Sequence, residues 1–474
     1  MRYLERRDGD GSAVISRVVI AGTSSGAGKT TVASGLIGAL RGSGLRVQGF
    51  KVGPDYIDPS YHALASGRPG RNLDAFLSGP ELIAPLVRHG SAGAEIAVIE
   101  GVMGLFDGAS SRGELASTAH VAKLLRAPVV LVVDGSAMAR SAAAIVHGFR
   151  TFDPEVQIAG VVFNRVGSDG HEQLLREAVG ELSPPAVPVL GALRRDDRIS
   201  APERHLGLVP AAERERQATG ALAALTDAIV RCVDVGHVER IARGAPGCAG
   251  PAWDPTVAAP AGEPARPVRI AIARGPAFSF HYEENLELLT AAGAELVGFD
   301  PTVDTALPAG CGALVLAGGF PEIFGSELEA NAVLRAQIAA FAAAGHPVLA
   351  ECGGLLYLAR ELDGHEMCGV LPARGRMAQR LTLGYRDAIA ATETPWLAGG
   401  EPVRGHEFHY STVEQLPDHA VAPAWRLSAR GITRPEGLAI GAVQASYLHV
   451  HWAAFPGIPG RFVRAAATRT AARA

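Results

Sequence analysis

Long apolar runs, cysteines and lysines are all scarce in this chain of 474 residues. No apolar stretch approaches the ~18 residues that a membrane-spanning helix requires, so we expect no membrane partner. The five cysteines are too few and too scattered for a disulfide framework or a zinc site, and a reducing, cytoplasmic compartment is the expectation. Residues 1–16 form a polar leader without the apolar segment of a secretory signal.

Charge of either sign is also in short supply. The formal net charge is only −4, which gives no reason to expect nucleic acid as a partner. The chain contains three lysines, Lys29, Lys51 and Lys123, so arginine supplies nearly all of its positive charge. Lys29 opens a predicted helix and Lys51 ends a predicted strand, which are positions at which a nucleotide site uses lysine.

The length and the hydrophobic content of 48% predict a globular protein with two domains. Apolar strands alternate with helical segments in both halves, which predicts an α/β fold with two doubly wound parallel sheets. Residues 205–210 are predicted to form a last strand of the first half, and residues 326–344 one long helix of the second. A segment rich in Pro, Gly and Ala separates the halves, and we place a first domain, a linker, a second domain and a tail at residues 17–242, 243–266, 267–460 and 461–474.

The first domain begins with the parts of a phosphate cradle. A β-branched strand ends at Gly22, and a loop of small residues leads into a helix. Backbone N–H groups of such a loop and the positive helix N-terminus bind phosphates. In the usual G-x-x-x-x-G-K-[ST] pattern the first glycine would fall at Thr23, so the glycine is displaced by one residue here. The residues expected to bind nucleotide are Gly26, Gly28, Lys29, Thr30 and Thr31.

Carboxylates follow two further strands of this domain. Asp55 and Asp58 lie after the strand that ends at Lys51. Glu100 ends another apolar strand, and Asp107 lies beyond it. Because strand ends beside a phosphate loop handle metal-bound nucleotides, these side chains are candidates to bind Mg²⁺ or substrate. Each also has a plainer interpretation, since Asp55 and Asp58 could make turns beside prolines and Glu100 could be solvated.

Cys352 marks the candidate site of the second half. It lies at an abrupt change from strand to helix, with Gly354 two residues later, as in a nucleophile elbow. The positive end of the helix favours a thiolate there. The alternative for a lone cysteine is a small buried apolar residue. A thiolate needs a base, and no pattern chooses among the four candidates His406, His409, His449 and His451.

Together these segments resemble the cobyrinic acid or hydrogenobyrinic acid a,c-diamide synthases of corrinoid (vitamin B12) biosynthesis. The first half is similar to the dethiobiotin-synthetase type of P-loop domain, which shares the displaced glycine. The second half is similar to a class I glutamine amidotransferase domain of the cobyrinic type. The resemblance covers about residues 18–455 and rests on GAGKTT (26–31), KVGPDYIDP (51–59), EGVMGLFDG (100–108), GGFPE (318–322), ECGG (351–354), GHEFHYS (405–411) and SYLHVH (446–451).

For the second half, the resemblance implies a glutaminase. Cys352 would attack the side-chain amide of L-glutamine and release ammonia, with His449 as the general base. The backbone N–H groups of Gly353 and Gly319 would form the oxyanion hole. The carboxylate that usually lies two residues after the base is replaced by His451, so an unconventional partner for His449, or none, is expected.

For the first half, the resemblance implies ATP as co-substrate and Mg²⁺ as cofactor. Lys29 and Thr30 would position the triphosphate. Thr30, Asp55 and Glu100 would hold the metal, and Lys51 would neutralise charge on the transferring phosphoryl group.

The remaining implied roles concern the nucleotide base and the substrate. Asn164 could read the base, while Asp58 and Asp107 match acidic positions near the corrinoid and the reaction intermediate. ATP would convert the a and c acetate carboxylates of the corrinoid precursor to acyl phosphates in turn, and ammonia would displace the phosphate. A homodimer is compatible with the sequence.

Other functions stay open. Cobyric acid synthase and the enzyme that amidates nickel-sirohydrochlorin have the same build. A P-loop partitioning or carrier ATPase is the alternative from a different class, but it would leave Cys352 without a role.

Overall fold

The structure is a computed structural model that describes residues 15–109, 112–182, 187–195, 203–204, 207–208, 213, 215–248, 250–259, 267–417, 419 and 421–471. The chain divides into two compact units, Met1–Trp253 and Asp254–Ala474, which we call unit 1 and unit 2. No helix among the described residues is both long and apolar enough to span a bilayer.

Unit 1 is built on a seven-stranded, wholly parallel sheet with the strand order β3-β2-β4-β1-β5-β6-β7. Its strands are rich in Val and Ile because both faces of such a sheet are covered, and Val18, Val19 and Ile20 are fully buried. The strands are β1 (Ser16–Gly22), β2 (Val47–Val52), β3 (Arg71–Leu73), β4 (Ile96–Glu100), β5 (Val129–Asp134), β6 (Ile158–Val166) and β7 (Val189–Arg194).

Helices connect these strands and cover the sheet, as right-handed crossovers require. Helix α7 packs directly on α1, where a Cβ atom at Gly35 would lie 2.6 Å from Ile229 Cγ1. The helices are α1 (Lys29–Gly42), α2 (Ile57–Ser66), α3 (Pro80–Gly90), α4 (Thr118–Leu124), α5 (Ser141–Phe152), α6 (Asp169–Gly180), α7 (Glu215–Cys232) and α8 (Val235–Arg243).

Two segments of unit 1 differ from the sequence-based expectation. Of the strand predicted at residues 205–210, the structure describes only residues 207–208, which form β9 (Gly207–Leu208). Strand β9 pairs antiparallel with β8 (Glu203–Arg204) in a separate two-stranded sheet and is not a further strand of the parallel sheet. Part of the predicted linker packs on unit 1, because the buried guanidinium of Arg17 donates to Pro246 O at 2.6 Å and Trp253 is buried.

Unit 2 contains a six-stranded sheet with the order β11-β10-β12-β13-β21-β20, in which β20 alone runs antiparallel. The carboxyl end of β13 leads directly to Cys352. Its strands are β10 (Val268–Ala273), β11 (Ala294–Phe299), β12 (Ala313–Leu316), β13 (Val348–Glu351), β20 (Leu438–Ile440) and β21 (Val443–Ser446).

A second, largely antiparallel sheet of unit 2 was not predicted from the sequence. Its centre is the long pair β16–β17, whose register shifts between Met377 and Thr382. This irregular register and the partly exposed faces leave no regular alternation of apolar and polar residues to detect. The strands are β14 (Glu361–Leu362), β15 (His365–Glu366), β16 (Ala373–Ala390), β17 (Pro402–Gln415), β18 (Trp425–Ala429), β19 (Ile432–Glu436) and β22 (His449–Val450).

The helices of unit 2 correct one prediction. The single helix expected at residues 326–344 is two helices, because the chain breaks at Asn331, whose ψ of 55° is not helical. Of the predicted tail, the described residues belong to the last helix, which buries Phe462 and Val463. The helices are α9 (Pro255–Ala258), α10 (Glu283–Ala291), α11 (Gly325–Ala330), α12 (Ala332–Ala343), α13 (Gly353–Leu358) and α14 (Gly457–Ala471), with short 3₁₀ helices at Pro321–Phe324 and Trp452–Ala454.

Candidate active sites

The loop between β1 and α1 has the backbone of a phosphate cradle. Gly26 and Gly28 adopt φ angles of 74° and 101°, which residues with a Cβ rarely adopt, and Gly28 caps the N-terminus of α1. The displaced Gly22 also has a packing reason, because a Cβ there would lie 3.0 Å from Lys29 Cγ. The small residues of the loop therefore make room for the stem of the lysine.

Lys29 lies folded against the cradle. Its Nζ donates to Ser24 O at 3.0 Å and to Met103 O at 2.5 Å. Burial, together with the positive charge of Lys51, lowers the pKa of Lys29 to about 8. A bound polyanion would oppose both effects, so this lysine is suited to pair with phosphate.

Asn164 lies at the end of β6 against the same loop. Its Nδ2 donates to Ala27 O at 3.1 Å, and a Cβ at Gly28 would collide with its amide. Its Oδ1 accepts from the backbone N–H of Arg165 at 2.9 Å. The side chain is therefore fixed beside the cradle, where the sequence placed a nucleotide contact.

A buried polar cluster lies beside the cradle, at the ends of β2 and β4. Lys51 Nζ lies 2.8 Å from Glu100 Oε1 and 2.5 Å from Asp58 Oδ2. Thr30 Oγ1 donates to Glu100 Oε1 at 2.6 Å, and His62 Nε2 lies 2.7 Å from Glu100 Oε2. Glu100 is therefore not a solvated strand-end residue, and the plainer interpretation of it is wrong.

The cluster combines one ammonium group with a fully buried carboxyl group, that of Glu100, and a largely buried one, that of Asp58. Burial would raise the pKa of Glu100, but Lys51 and His62 outweigh it and hold the pKa far below its ordinary value. Burial raises the pKa of Asp58, and repulsion from Asp55 and Glu100 adds to this. The carboxylate that carries charge opposite Lys51 is therefore that of Glu100.

The other two acidic candidates are engaged locally. Asp55 Oδ1 accepts from the backbone N–H groups of Ile57 at 2.6 Å and Asp58 at 3.2 Å, which is the turn interpretation at the start of α2. Asp107 Oδ2 accepts from Gly104 N at 2.9 Å. For Asp58, by contrast, the turn interpretation misses its pairing with Lys51.

The residues at the phosphate cradle fit Mg²⁺ bound together with phosphates better than a metal ion bound by protein side chains alone. Among the described residues no group of three or more His, Cys, Asp and Glu side chains could hold a metal ion. Mg²⁺ usually takes one or two carboxylates with phosphates and waters, and the hydroxyl of Thr30 and carboxylate of Glu100 are hard oxygen donors side by side.

Cys352 has the strained backbone of an elbow. Its φ is 48° and its ψ is −100°, and α13 begins at the next residue. The expectation of a favoured thiolate is wrong for this conformation: burial, with the charge of Glu322, raises the pKa of the thiol to about 12. Helix α13 has only six residues, so its N-terminus does not outweigh burial. The thiol must therefore lose its proton to a base during reaction.

Two backbone N–H groups face the sulfur of Cys352. Those of Gly353 and Gly319 interact with the sulfur and act to lower the pKa of the thiol. Gly319 adopts a φ of 157°, and a Cβ there would collide with Ala277 O. A Cβ at Gly353 would lie 3.0 Å from Gly319 N, so the two expected oxyanion-hole residues lie together at the elbow.

Three of the four candidate histidines contact other side chains of unit 2. His406 Nε2 lies 2.9 Å from Tyr282 Oη, and burial with the proximity of His449 lowers the pKa of His406 well below its ordinary value. His409 stacks on Tyr447 with ring centroids 3.6 Å apart. His451 Nε2 lies 3.5 Å from Glu284 Oε2.

His449 is the histidine that packs against the candidate oxyanion loop. A Cβ at Gly318, the neighbour of Gly319, would lie 2.6 Å from His449 Cε1. The Nδ1 atom of His449 lies 3.3 Å from Glu351 Oε2. Sequence reasoning missed the contact of Glu351 with His449, for which the only signal was that Glu351 precedes Cys352. It also missed the contact of His62 with Glu100, which no motif indicated.

Comparisons with known proteins assign a family model to each unit. Residues 18–209 match the CobQ/CobB/MinD/ParA nucleotide binding domain. Residues 269–456 match the CobB/CobQ-like glutamine amidotransferase domain.

Relatives match over nearly the whole chain. A hydrogenobyrinate a,c-diamide synthase of Streptomyces coelicolor is 54% identical, covering 96% of this chain and 98% of that protein. One from Mycobacterium tuberculosis is 52% identical, covering 96% and 99%. A cobyrinate a,c-diamide synthase of Syntrophotalea carbinolica is 45% identical, covering 94% and 98%.

Proposed function

The chain belongs to the family of hydrogenobyrinate and cobyrinate a,c-diamide synthases, and from this premise we propose that it amidates the a and c acetate carboxylates of a corrinoid precursor, with ATP and L-glutamine as co-substrates. The observation that carries the proposal is the presence, on one chain, of a phosphate cradle, an elbow cysteine and a histidine that packs beside the candidate oxyanion loop. Each is needed because a free carboxylate is a poor acyl donor and ammonium is a poor nucleophile.

The first reaction belongs to unit 1. A substrate carboxylate oxygen attacks the γ-phosphorus of ATP, the bond to the β,γ-bridging oxygen breaks, and an acyl phosphate and ADP result. Lys29 leaves the carbonyls of Ser24 and Met103 to pair with the phosphates. Lys51, between Glu100 and Asp58, is the second cation of the site and faces the transferring phosphoryl group.

We assign the metal of this site to Thr30 and Glu100, with Asp55 nearby. When bound, Mg²⁺ neutralises charge on the phosphate oxygens. The carboxylate of Glu100 is held for this task by the contacts of its two oxygens with Lys51 and His62. Asp58 and Asp107 are left as contacts to substrate or intermediate, and Asn164 as the contact to the nucleotide base.

The second reaction belongs to unit 2. His449 takes the proton of the Cys352 thiol as the sulfur attacks the amide carbon of glutamine, and the N–H groups of Gly353 and Gly319 bind the oxyanion. The tetrahedral intermediate releases ammonia with a proton returned from His449, and water then hydrolyses the thioester to glutamate. Ammonia displaces phosphate from the acyl phosphate, so each amide consumes one ATP and one glutamine.

Replacement of Cys352 by Ser tests the proposal. The variant is expected to lose glutamine-driven amidation and to retain amidation driven by ammonium salt, because the acyl phosphate needs only ammonia. Both rates are measured by mass spectrometry of the corrinoid, with Cys368→Ser as the matched control for a buried cysteine outside the site. Equal loss of both activities in the Cys352 variant would contradict a separate glutaminase site.

We further propose that the substrate is metal-free hydrogenobyrinic acid. The relatives named for that substrate share more of the sequence than the one named for cobyrinic acid. Initial rates with hydrogenobyrinic and cobyrinic acid under equal conditions test this, and a preference for the cobalt-loaded acid would overturn it. The same panel, extended to nickel-sirohydrochlorin and to the substrate of cobyric acid synthase, tests the other ligases. A partitioning ATPase would hydrolyse ATP and amidate none of them.

A further inference from the structure

A carboxylate reaches the base of the glutaminase site from an unexpected strand. Strands β13 and β21 run parallel, and Glu351 pairs in register with Ser446. The chain then turns through Tyr447 and Leu448 to His449, which brings the imidazole over the end of β13. His449 Nδ1 lies 3.3 Å from Glu351 Oε2. The imidazole is almost fully buried and the carboxylate is 15% exposed, so the pair is largely shielded from solvent.

The position that would ordinarily supply this carboxylate is used differently. His451, two residues after His449, has its Nε2 3.5 Å from Glu284 Oε2 and its ring 4.8 Å from that of Tyr282. An imidazole at this position does not supply the negative charge with which a carboxylate orients the base. A carboxylate that orients His449 must therefore come from elsewhere in the unit.

The packing around His449 leaves little freedom to the ring. The Cε1 edge of the ring lies close to Gly318, and the ring stacks on that of His406 at a centroid distance of 5.0 Å and an interplanar angle of 20°. In this packing the contact at Nδ1 decides which nitrogen carries the proton. An Nδ1–H donated to Glu351 leaves Nε2 as the acceptor, which is the tautomer that can take a thiol proton.

We propose that Glu351 is the positioning residue of the general base, orienting His449 as the carboxylate of a conventional triad would; the proposal rests on the glutaminase reaction proposed above. The nucleophile and the orienting group are then neighbours in sequence, on the two sides of one elbow. The strained backbone of Cys352 places this residue at the start of α13, while Glu351, the last residue of β13, contacts His449.

A rival role for Glu351 predicts the opposite effect of its removal. Its charge lies next to Cys352 and contributes to raising the pKa of the thiol. If this charge were its only influence, Glu351→Gln would ease formation of the thiolate and increase glutaminase activity. Loss of a positioning group would decrease that activity, so the sign of the change separates the two roles.

The experiment compares Glu351→Gln and Glu351→Asp with the wild-type full-length chain. Glu401→Gln is the matched control, because Glu401 is a partly buried carboxylate of the same unit that pairs with Arg461 at 2.5 Å. Glu284→Gln tests the competing carboxylate. Glutaminase kcat and KM and ammonia-driven amidation are measured for each. His406 from β17 and Glu351 from β13 face His449, and Glu322 acts on the neighbouring thiol.

For Glu351→Gln we expect kcat of the glutaminase to fall about 10²-fold with KM for glutamine little changed, since the group acts on the base alone. Glu351→Asp should recover part of kcat. Glutaminase activity should stay at the wild-type level in Glu401→Gln. Ammonia-driven amidation should stay at the wild-type level in every variant.

An unchanged or increased glutaminase kcat in Glu351→Gln would overturn the proposal, and so would a larger loss in Glu284→Gln than in Glu351→Gln. Failure of the proposed function itself has a different signature. In that case the wild-type chain would hydrolyse no glutamine, or would lose nothing in Cys352→Ser.

Discussion

Replacement of Lys51 by Met should destabilise unit 1 strongly. The Lys51 side chain is 4% exposed, and its ammonium group lies 2.8 Å from a fully buried Glu100 oxygen and 2.5 Å from Asp58. Methionine fills a similar volume but leaves the buried carboxylate of Glu100 without its cation. Removal of one partner from a buried ion pair costs about 3–5 kcal/mol. Because Thr30 and His62 still contact Glu100, we expect about 3 kcal/mol.

The measurement is differential scanning calorimetry at neutral pH, with the transition of unit 1 identified by its shift on ATP addition. For a unit of this size about 3 kcal/mol corresponds to a decrease of roughly 6–12 °C in Tm. Lys123→Met is the control, since Lys123 pairs with Glu114 and Asp153 nearer the surface, where a pair contributes about 1 kcal/mol or less. A Tm for Lys51→Met that equals the Tm of the control would refute the reasoning, and so would loss of glutaminase activity in unit 2.

Two further predictions concern Lys29 and Glu436. Lys29→Ala should abolish amidation with either glutamine or ammonium salt and keep glutaminase activity, because we expect the ammonium group of Lys29 to bind phosphate. Amidation at the wild-type rate would contradict the phosphate-loop assignment. Burial raises the pKa of Glu436 to about 7, above its ordinary value of 4.5. The folded state therefore binds the proton of Glu436 more tightly than the unfolded state does. The resulting contribution to the free energy of unfolding is fully present below pH ~4.5 and is lost as the pH rises through about 7. Urea unfolding at pH 5 and pH 8 should show that Glu436→Gln removes part of this pH dependence, whereas an equal pH dependence in both proteins would contradict it.

The strands and the cradle were predictable because their signals are local. A β-branched run such as that before Gly22 is fully buried in a parallel sheet, and the small residues after it are required by positive φ angles and by the stem of Lys29. The break at Asn331 and the antiparallel sheet around β16 and β17 escaped prediction. In both cases the decisive contacts are made with segments distant in sequence, and the local pattern resembles that of an ordinary helix or loop.

The charge states of the candidate sites could not be derived from the sequence. A helix start after Cys352 indicated a thiolate, but burial near Glu322 raises the pKa of the thiol instead. Glu100 could be read as solvated until its contacts with Lys51 and His62 were known. Desolvation depends on everything that surrounds a group, and motif spacing carries no information about it.

By itself the sequence determined the two classes of chemistry, since a displaced-glycine phosphate loop and a cysteine elbow need only short segments of backbone. It also narrowed the base to four histidines. Only the tertiary structure shows what surrounds each of them, because β13, β17 and β22 bring Glu351, His406 and His449 together from distant parts of unit 2. The contact between His449 and Glu351 joins residues that are far apart in the sequence, so no motif reveals it. The position two residues after His449, where a conventional triad has its carboxylate, holds His451, which lies near Glu284.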